Sequence, residues 1–315
     1  MSLIEKAVDK LGSGTPPAAS PAGSQEQRAD EAAAATAKPD VIAQAMEKQA
    51  APAPAREPGR SAAPTTTQSV TINLARLKSA GFVTPDAERT EIAEEFRLIK
   101  RPLLINATGQ GGEAVPRGNM ILVTSSLPGE GKTFCAINLA ISIAMELDRT
   151  VLLVDADVAK PKLLHYLGVQ GEKEGLLDVL RNDRISLADV LLKTNIEKLT
   201  LLPAGKPYKH ATELLASEAM NRLVDDMANR YADRIVIFDS PPLLATSEAS
   251  VLASHMGQIV MVVEADRTPQ SALREALELI GDSGAAISLL LNKTTGPQSA
   301  GGYYGYGYGY GKYGT

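Results

Sequence analysis

One stretch of this sequence, "SLPGEGKT" at residues 126–133, combines residue types that bind phosphate, although its first position is Ser where the strict pattern has Gly. Gly129 and Gly131 allow the backbone to bend so that successive N–H groups point inward. Lys132 can bring a cation to the outer phosphates, and Thr133 can offer a hydroxyl to Mg²⁺. The nucleotide-binding residues predicted from this stretch are Ser126, Pro128, Gly129, Glu130, Gly131, Lys132, Thr133 and Phe134.

Three acidic residues follow two other apolar runs and supply the second requirement of phosphoryl transfer. "LLVDAD" gives Asp155 and Asp157, and "IVIFDSPP" gives Asp239. A lone Asp at the end of a strand is often only a helix cap or a turn residue. Three of them accompanying a phosphate loop favour a catalytic site, because phosphoryl transfer needs carboxylates to hold the metal and one to accept a hydroxyl proton.

The elements that must position these residues alternate between strand-length apolar runs and helical patterns. The predicted strands are "NMILVTS", "TVLLVDAD", "LTLLPAG", "RIVIFDS", "GQIVMVVEAD" and "ISLLLNK", and helices are predicted near 132–146, 211–230 and 269–281. Strands that are apolar throughout and separated by helices indicate a mostly parallel sheet covered on both faces. The expected fold class is therefore α/β and doubly wound, with the acids at the carboxyl ends of the strands, where such sheets bind ligands.

Composition divides the chain into four segments. Residues 1–12 place apolar side chains at helical spacing, which predicts an amphipathic helix. Residues 13–69 are dominated by Ala, Pro, Ser, Gly and Thr, which predicts a disordered linker. Residues 70–295 carry the α/β pattern, and residues 296–315 are rich in Gly and Tyr, so we expect them to form a flexible tail.

Charge and cysteine content argue against several classes of protein. The 315 residues include 32 Lys and Arg against 37 Asp and Glu, a net charge of -5 that gives no general reason to expect a nucleic acid partner. The single cysteine, Cys135, excludes an intramolecular disulfide framework, and we expect it to pack in the core. The sequence has no apolar run of membrane-spanning length and no secretory signal, so we expect a cytoplasmic protein.

With these motifs, the chain resembles the bacterial tyrosine autokinases of polysaccharide export, and most closely their stand-alone cytoplasmic kind associated with exosortase gene clusters. The resemblance rests on "SSLPGEGKT" as Walker A, "VLLVDAD" as the second motif, "IVIFDSPPLL" as Walker B, "LLPAG" followed by "ATELLAS", and the terminal tyrosine cluster. It covers roughly residues 70–315 and the amino-terminal "MSLIEKA". It implies a P-loop NTPase fold of the partition-ATPase-like, deviant Walker branch, with ATP and Mg²⁺ as cofactors.

The resemblance also implies roles for the site residues. Lys132 would bind the β and γ phosphates, and Thr133, Asp157 and Asp239 would form the metal site. Asp155 would accept the tyrosine proton. Residues two positions apart at a strand end can both turn toward one site, so the roles of Asp155 and Asp157 could be exchanged. The predicted catalytic residues are Lys132, Asp155 and Asp157.

Three further positions bear on the resemblance. Related partition and septum-site ATPases carry a signature lysine at the second position of the phosphate loop, where this chain has Leu127, and this favours the kinase branch. The family usually has a basic residue at the place of Ala159, and Lys160 is the candidate to replace it. Asn292, at the end of the last strand, is a candidate contact for the adenine base.

A charged helical face predicts contacts between subunits. "EEFRLIK" holds Glu94, Arg97 and Lys100 where the family has Glu-x-x-Arg-x-x-Arg, a motif implicated in ring assembly. Residues three apart lie on neighbouring positions of one helical face, so these charges could meet the next subunit. The alternative is a charged face that contacts only solvent.

The tail supplies the expected substrate, six tyrosines set between glycines: Tyr303, Tyr304, Tyr306, Tyr308, Tyr310 and Tyr313. The resemblance implies that they are autophosphorylated in trans within a ring-shaped homo-oligomer, which regulates exopolysaccharide polymerisation, chain length and export. It also implies a transmembrane co-polymerase adaptor that holds the protein at the inner membrane, and a tyrosine phosphatase. The alternatives are a partition- or positioning-type ATPase switch without kinase activity, and a passive low-complexity tail.

Overall fold

The computed structural model describes residues 68–86, 90–110, 112, 115–230 and 233–294 of the chain. The amphipathic helix predicted at residues 1–12, the linker up to residue 67 and the tail at 296–315 lie outside these residues. The described residues form an eight-stranded sheet and the helices that cover it.

The sheet is parallel except for one pair of strands. Its members are β1 (Gln68–Val70), β2 (Met120–Ser125), β3 (Thr150–Asp155), β4 (Leu192–Thr194), β5 (Leu199–Leu202), β6 (Arg234–Asp239), β7 (Gln258–Glu264) and β8 (Ala286–Asn292). Their order is β1-β4-β5-β3-β6-β2-β7-β8, and only β4 and β5 run antiparallel. The prediction of a doubly wound, mostly parallel α/β sheet is confirmed. Its central strands β3, β6 and β2 are those whose carboxyl ends carry the predicted site.

Ten α-helices and one 3₁₀ turn lie among the described residues. They are α1 (Leu74–Ser79), α2 (Glu91–Thr108), α3 (Lys132–Ala144), α4 (Leu163–Tyr166), α5 (Leu176–Arg181), α6 (Leu187–Val190), α7 (Ala211–Leu215), α8 (Glu218–Arg230), α9 (Glu248–Ala253) and α10 (Gln270–Glu278), with the 3₁₀ turn at Gly281–Ser283. No described helix combines the length and the apolar character that crossing a membrane requires.

The central strands are apolar at every position because both faces of the sheet are covered. In β2, Ile121 and Val123 pack into one core with α3, whereas Met120 and Leu122 pack into a second core on the opposite face. Successive side chains of a strand point to opposite faces, so a strand between two helical layers needs apolar residues at both. Helix α3 is buried along most of its length, which accounts for its almost wholly apolar sequence.

Two predicted boundaries need correction. Gln68 and Ser69, predicted in the linker, belong to β1, because the backbone there pairs in parallel register with β4. The helix predicted across 211–230 is two helices that divide at Ser217. The Ser217 hydroxyl donates to the Leu214 carbonyl at 2.7 Å and accepts the Met220 N–H at 3.4 Å, so it terminates α7 and caps α8.

Candidate active site

The phosphate loop connects β2 to the buried helix α3 with two residues in left-handed conformations. Gly129 has φ +90° and Gly131 has φ +100°, values at which other residues are strained. A Cβ atom at Gly131 would also collide with the Asn292 amide. Helix α3 begins without a side-chain cap, so the backbone N–H groups of its first turn are available to an anion such as a phosphate.

The predicted carboxylates meet at the carboxyl ends of β3 and β6. Asp155 and Asp239 are register partners on these adjacent strands, and both are buried. Asp157 follows two residues later, and its Oδ2 atom lies 3.3 Å from Lys132 Nζ. The structure therefore brings the four residues Lys132, Asp155, Asp157 and Asp239 into one site at the start of α3.

Burial raises the pKa of both strand-end carboxyls, Asp155 and Asp239. Desolvation, followed by the charge of Asp239, raises the pKa of Asp155 to about 8. Desolvation also raises the pKa of Asp239 to about 7, although the Lys132 charge and a hydrogen bond from Thr133 oppose this rise. A carboxyl with a pKa near the working pH is well suited to accept a proton during catalysis.

Several buried oxygens at the site have no partner, and their chemistry fits a nucleotide with Mg²⁺. The Oδ1 atoms of Asp155 and Asp239 and the Ser126 hydroxyl are buried without a hydrogen bond. Among the described residues, no group of three or more His, Cys, Asp or Glu side chains could hold a metal by itself. Mg²⁺ is commonly held by one or two carboxylates together with phosphate oxygens and water, and Thr133, Asp157 and Asp239 offer this kind of donor set.

Residues at the ends of β7 and β8 brace the phosphate loop from the side opposite Asp155. The Glu130 carboxylate accepts the Leu127 N–H at 2.7 Å and also a hydrogen bond from the Thr268 hydroxyl. Asn292 Nδ2 donates to the Glu130 carbonyl at 2.8 Å. Lys293 Nζ donates to the Gly129 carbonyl at 2.7 Å.

Glu264 anchors this brace and was not among the predicted site residues. Its carboxylate accepts Lys293 Nζ at 3.1 Å and Arg267 at 3.2 Å, and the Lys293 hydrogen bond lowers the pKa of Glu264. The only signal in the sequence is an acid that ends the apolar run "QIVMVVEAD". We name Glu264, Thr268, Asn292 and Lys293 the β7–β8 brace.

Three of the predicted nucleotide contacts, Phe134, Glu130 and Asn292, have partners within the protein. The Phe134 ring packs against Phe82 at a centroid distance of 4.8 Å, and its contact with the nucleotide stays a prediction. The Glu130 side chain organises the loop and the brace. Adenine contact by Asn292 stays a prediction, since its Nδ2 atom is used on the loop.

Lys100 does not lie on the exposed charged face that the sequence predicts. Arg97 pairs with Glu94 at 2.6 Å on the surface of α2. Lys100 is buried, and its Nζ donates to the Ser142 carbonyl at 2.6 Å and pairs with Glu146 at 2.6 Å. Its charge therefore connects α2 to α3, and a contact of Lys100 with another subunit stays a prediction. The subunit contacts of Glu94 and Arg97 stay predictions.

The remaining predictions concern Cys135, Lys160 and the tail tyrosines. Cys135 is buried in the core with α3, as predicted, and burial followed by the Asp239 charge raises the pKa of its thiol to about 12. Lys160 donates its backbone N–H to Asp157 Oδ1 at 3.1 Å, and its side chain is exposed. That Lys160 takes the place of the family's basic residue at position 159 stays a prediction. The six tail tyrosines lie outside the described residues.

Comparison with known proteins connects this site to one group of enzymes. A family model described as an AAA domain matches residues 118–282, more than half of the chain. The tyrosine-protein kinase CpsD of Streptococcus agalactiae is 31% identical over 233 residues, which cover 74% of this chain and 96% of that protein. The putative tyrosine-protein kinase EpsB of Ralstonia nicotianae is 33% identical over 195 residues, or 62% of this chain, but the chain spans only 25% of its length.

A solved structure shares the fold. The chimerical protein CapA2B2 superposes with a TM-score of 0.59 at 28% sequence identity, covering 72% of this chain and 93% of that one. The α/β P-loop arrangement of the described residues is therefore the one seen in that protein.

Proposed function

The chain belongs to the bacterial tyrosine-protein kinases, and from this membership we propose that it is an ATP-dependent protein-tyrosine kinase whose substrate is its own tyrosine tail. The observation that carries the proposal is the convergence of Lys132, Asp155, Asp157 and Asp239 on the uncapped start of α3. A phosphate loop alone would serve any nucleotide-binding protein. A buried carboxyl with a raised pKa beside it adds a base that can take a hydroxyl proton.

The residues divide the chemistry between them. The backbone N–H groups of the loop and Lys132 bind the phosphates, and Thr133, Asp157 and Asp239 hold Mg²⁺. Bound Mg²⁺ would neutralise charge on the phosphate oxygens. Asp155 orients the incoming phenol and accepts its proton, since its Oδ1 atom is buried and has no other partner. Leu163 holds the other oxygen in place, donating its N–H to Asp155 Oδ2 at 3.1 Å.

Delivery of the tail to another copy is within reach. About 20 residues from Thr295 to the end can extend to roughly 70 Å, at 3.3 to 3.6 Å per residue. Glycines between the phenols leave each tyrosine free to enter a site in extended form. We infer that Tyr303, Tyr304, Tyr306, Tyr308, Tyr310 and Tyr313 are phosphorylated in trans within a homo-oligomer that Glu94 and Arg97 help to form.

The wider role follows from the family resemblance. Cycling between the assembled and the phosphorylated state would regulate exopolysaccharide polymerisation, chain length and export. A transmembrane co-polymerase adaptor would recruit the protein to the cytoplasmic side of the inner membrane, and a tyrosine phosphatase would reverse the modification. The amino-terminal "MSLIEKA" and the tyrosine cluster support the finer assignment to the stand-alone, exosortase-associated kind.

Labelled ATP tests the proposal directly. Purified protein is incubated with labelled ATP and Mg²⁺, beside a Lys132→Met variant and a truncation after Gly302. Tyrosine label in the wild type that is lost in both variants supports the kinase. ATP hydrolysis without any tyrosine label, even with an adaptor added, would instead indicate the ATPase switch. Leu127, in place of the signature lysine of those ATPases, argues against that alternative.

A further inference from the structure

Strand β8 forms one edge of the described sheet and exposes a row of large apolar side chains. In the order of the sheet, β8 has β7 on one side and no described strand on the other. The side chains of Ile287, Leu289 and Leu291 are 39%, 59% and 61% exposed. They alternate with Ser288 and with Leu290, which is buried in the core, so the exposed residues share one face of the strand. We name Ile287, Leu289 and Leu291 the β8 row.

The backbone groups of the β8 row point to the open edge. Ala286 donates its N–H to the Gly257 carbonyl at 2.9 Å, and the Asn292 carbonyl accepts the Ala265 N–H at 2.9 Å. Both residues therefore turn their backbone groups toward the β7 side. Because this direction alternates along a strand, the residues of the row turn their N–H and C=O groups away from β7, where no described strand receives them. An edge of this kind can pair with an added strand.

Strand β8 lacks the features that usually protect an edge strand from pairing. Such strands are commonly very short or carry charged residues or proline. The sequence of β8, "AISLLLN", includes no charged residue and no proline. At the opposite edge of the sheet, β1 has only three residues, and its Gln68 and Ser69 side chains are polar and exposed. Of the two edges, β8 is therefore the one suited to pairing.

The tail that follows β8 has the alternation of a strand, although it lies outside the described residues. From Tyr304 to Tyr310 its sequence alternates strictly between Tyr and Gly. Side chains two positions apart lie on one face of a strand, so four tyrosine rings would share one face of an extended tail and glycines the other. Residues 293–302 connect β8 to the tyrosines and exceed what the step of roughly 5 Å to a neighbouring strand requires.

Tyr303 breaks the alternation and would face the opposite side of an added strand. On that side, helix α2 and the edge of the sheet line a cleft of about 230 Å³. Apart from Ser288, its lining is apolar: Ile99, Pro102, Leu103, Val260, Leu289, Leu290 and Leu291. An aromatic ring can bury much of its surface in such a cleft. The two sides of the edge can therefore receive both sets of tyrosines.

We propose that the unphosphorylated tail of the same chain adds to β8 as an antiparallel strand, with the rings of Tyr304, Tyr306, Tyr308 and Tyr310 over the β8 row. The tail begins where β8 ends, so its local concentration at this edge exceeds that of a tail from another copy. Glycine weakens a strand, so the docked tail can leave the edge and reach a neighbouring copy.

The regulatory consequence rests on the kinase function proposed above. A docked tail is withheld from the active site of another copy, so docking slows its phosphorylation. A phosphate on one ring would place about -1.5 to -2 charges against the apolar β8 row, which disfavours docking. The first phosphate should therefore release the remaining tyrosines.

Amide hydrogen exchange without nucleotide tests the docking. The full chain is compared with a variant in which Tyr304, Tyr306, Tyr308 and Tyr310 are all replaced by Ser, which keeps the length of the tail. We expect the amides of the β8 row to exchange about three- to tenfold more slowly in the wild type, because an added strand accepts their hydrogen bonds. Equal exchange in the two proteins would overturn the proposal. Protection that declines on dilution would also overturn it, since the occupant would then be a second copy.

A charge placed on the edge gives a second test. Leu289→Lys changes an exposed side chain in the middle of the β8 row, so the fold should be kept while pairing is blocked. We expect protection of β8 to fall to the level of the four-Ser variant, and the initial rate of tail phosphorylation to rise about two- to fivefold. Leu147→Lys, at a leucine that is 86% exposed and lies outside β8, is the control and should match the wild type in both measurements.

The two measurements separate docking from catalysis. A Leu289→Lys variant that keeps the protection of β8 would overturn the docking, whatever the kinase activity. Loss of protection with an unchanged rate of phosphorylation would overturn the regulatory consequence. A wild-type protein whose β8 is protected but whose tail is never labelled would overturn the proposed kinase function while the docking stands.

Discussion

Asp155 and Asp239 are register partners on the adjacent strands β3 and β6. The Oδ1 atom of Asp155 is buried and has no hydrogen-bond partner. Burial disfavours the ionisation of both carboxyls because water cannot solvate the charge, and the Asp239 charge raises the pKa of Asp155 further. The site therefore holds unfavourable electrostatic energy in the absence of nucleotide. Such energy is typical of residues retained for function and not for stability.

We expect Asp155→Asn to stabilise the ligand-free protein while abolishing tyrosine phosphorylation. The pKa of Asp155 rises from 3.8 to about 8 on folding, so the folded state binds the proton more tightly and wild-type stability falls as pH increases through this interval. The variant lacks this contribution, so its melting temperature should exceed that of the wild type more at pH 8 than at pH 5. Each kcal/mol corresponds to roughly 2–4 °C.

Thermal unfolding of the two proteins at both pH values provides the measurement. Asp157→Asn is the matched control, since it removes a carboxylate that pairs with Lys132 and should not raise the melting temperature. A melting-temperature difference between Asp155→Asn and the wild type that is the same at pH 5 and pH 8 would contradict the raised pKa of Asp155.

Cys135 offers a second prediction at a single residue. Its thiol is buried beside the phosphate loop, and its pKa is raised to about 12, so almost no thiolate is present at pH 8. A thiol reagent should label the unfolded chain but not the native protein within the same period. Rapid labelling of the native protein would show that α3 opens or that the thiol is accessible.

At the level of elements, the β7–β8 brace connects the end of the sheet to the phosphate loop. Lys293→Ala removes the donor to the Gly129 carbonyl and one partner of Glu264. We expect ATP affinity to fall about three- to tenfold, since Lys293 is partly exposed and its bonds are weakened by water. Titration with a fluorescent ATP analogue measures this, with Lys78→Ala, at an exposed lysine outside the brace, as the control. Equal affinities in the two variants would show that the loop holds its shape without the brace.

Helix α2 carries a buried charge at Lys100 and an exposed charge at Arg97, so variants of the two residues distinguish an effect on stability from an effect on assembly. Lys100→Ala removes a buried ammonium from its ion pair with the more exposed Glu146 and leaves the Ser142 carbonyl without its partner, so we expect a loss of about 2–3 kcal/mol in the free energy of unfolding. Arg97→Ala disrupts only an exposed pair and should change stability by less than about 1 kcal/mol. Denaturant unfolding compares the two variants.

Light scattering adds the second readout for α2. If Arg97 contacts a neighbouring subunit, Arg97→Ala should reduce the assembled mass although the fold is as stable as before. An unchanged mass would remove Arg97 from the subunit contact.

The parts of the site that the sequence predicts are those encoded locally. Glycines, a lysine and a threonine between a strand and a helix specify the phosphate loop, and the parallel sheet places Asp155 and Asp239 at one edge. The brace and the burial of Lys100 depend on which elements pack together far apart in the chain. Spacing of three on α2 identifies a shared face but does not show that α3 covers Lys100.

At the scale of the whole molecule, phosphorylation of the tail would make the net charge much more negative. Each phosphate adds about -1.5 to -2, so six modified tyrosines would add roughly -9 to -12 to a chain with a net charge of -5. A tail of this charge should leave a site lined by three carboxylates and repel neighbouring tails. We therefore expect modification to loosen the oligomer. Size-exclusion chromatography of the phosphorylated and dephosphorylated protein checks this. Equal sizes would show that phosphorylation does not change the assembly.

Trans-phosphorylation of a catalytically dead copy tests the central claim most directly. Wild-type protein is mixed with ATP, Mg²⁺ and an affinity-tagged Lys132→Met copy, which keeps the whole tail but lacks the phosphate-binding cation. The tagged copy is then isolated and its tail analysed by mass spectrometry. We predict phosphotyrosine between Tyr303 and Tyr313 of the tagged copy only when wild-type protein is present. A tagged copy that stays unmodified while the wild type becomes labelled would contradict transfer between copies, and no label on either would contradict the kinase itself.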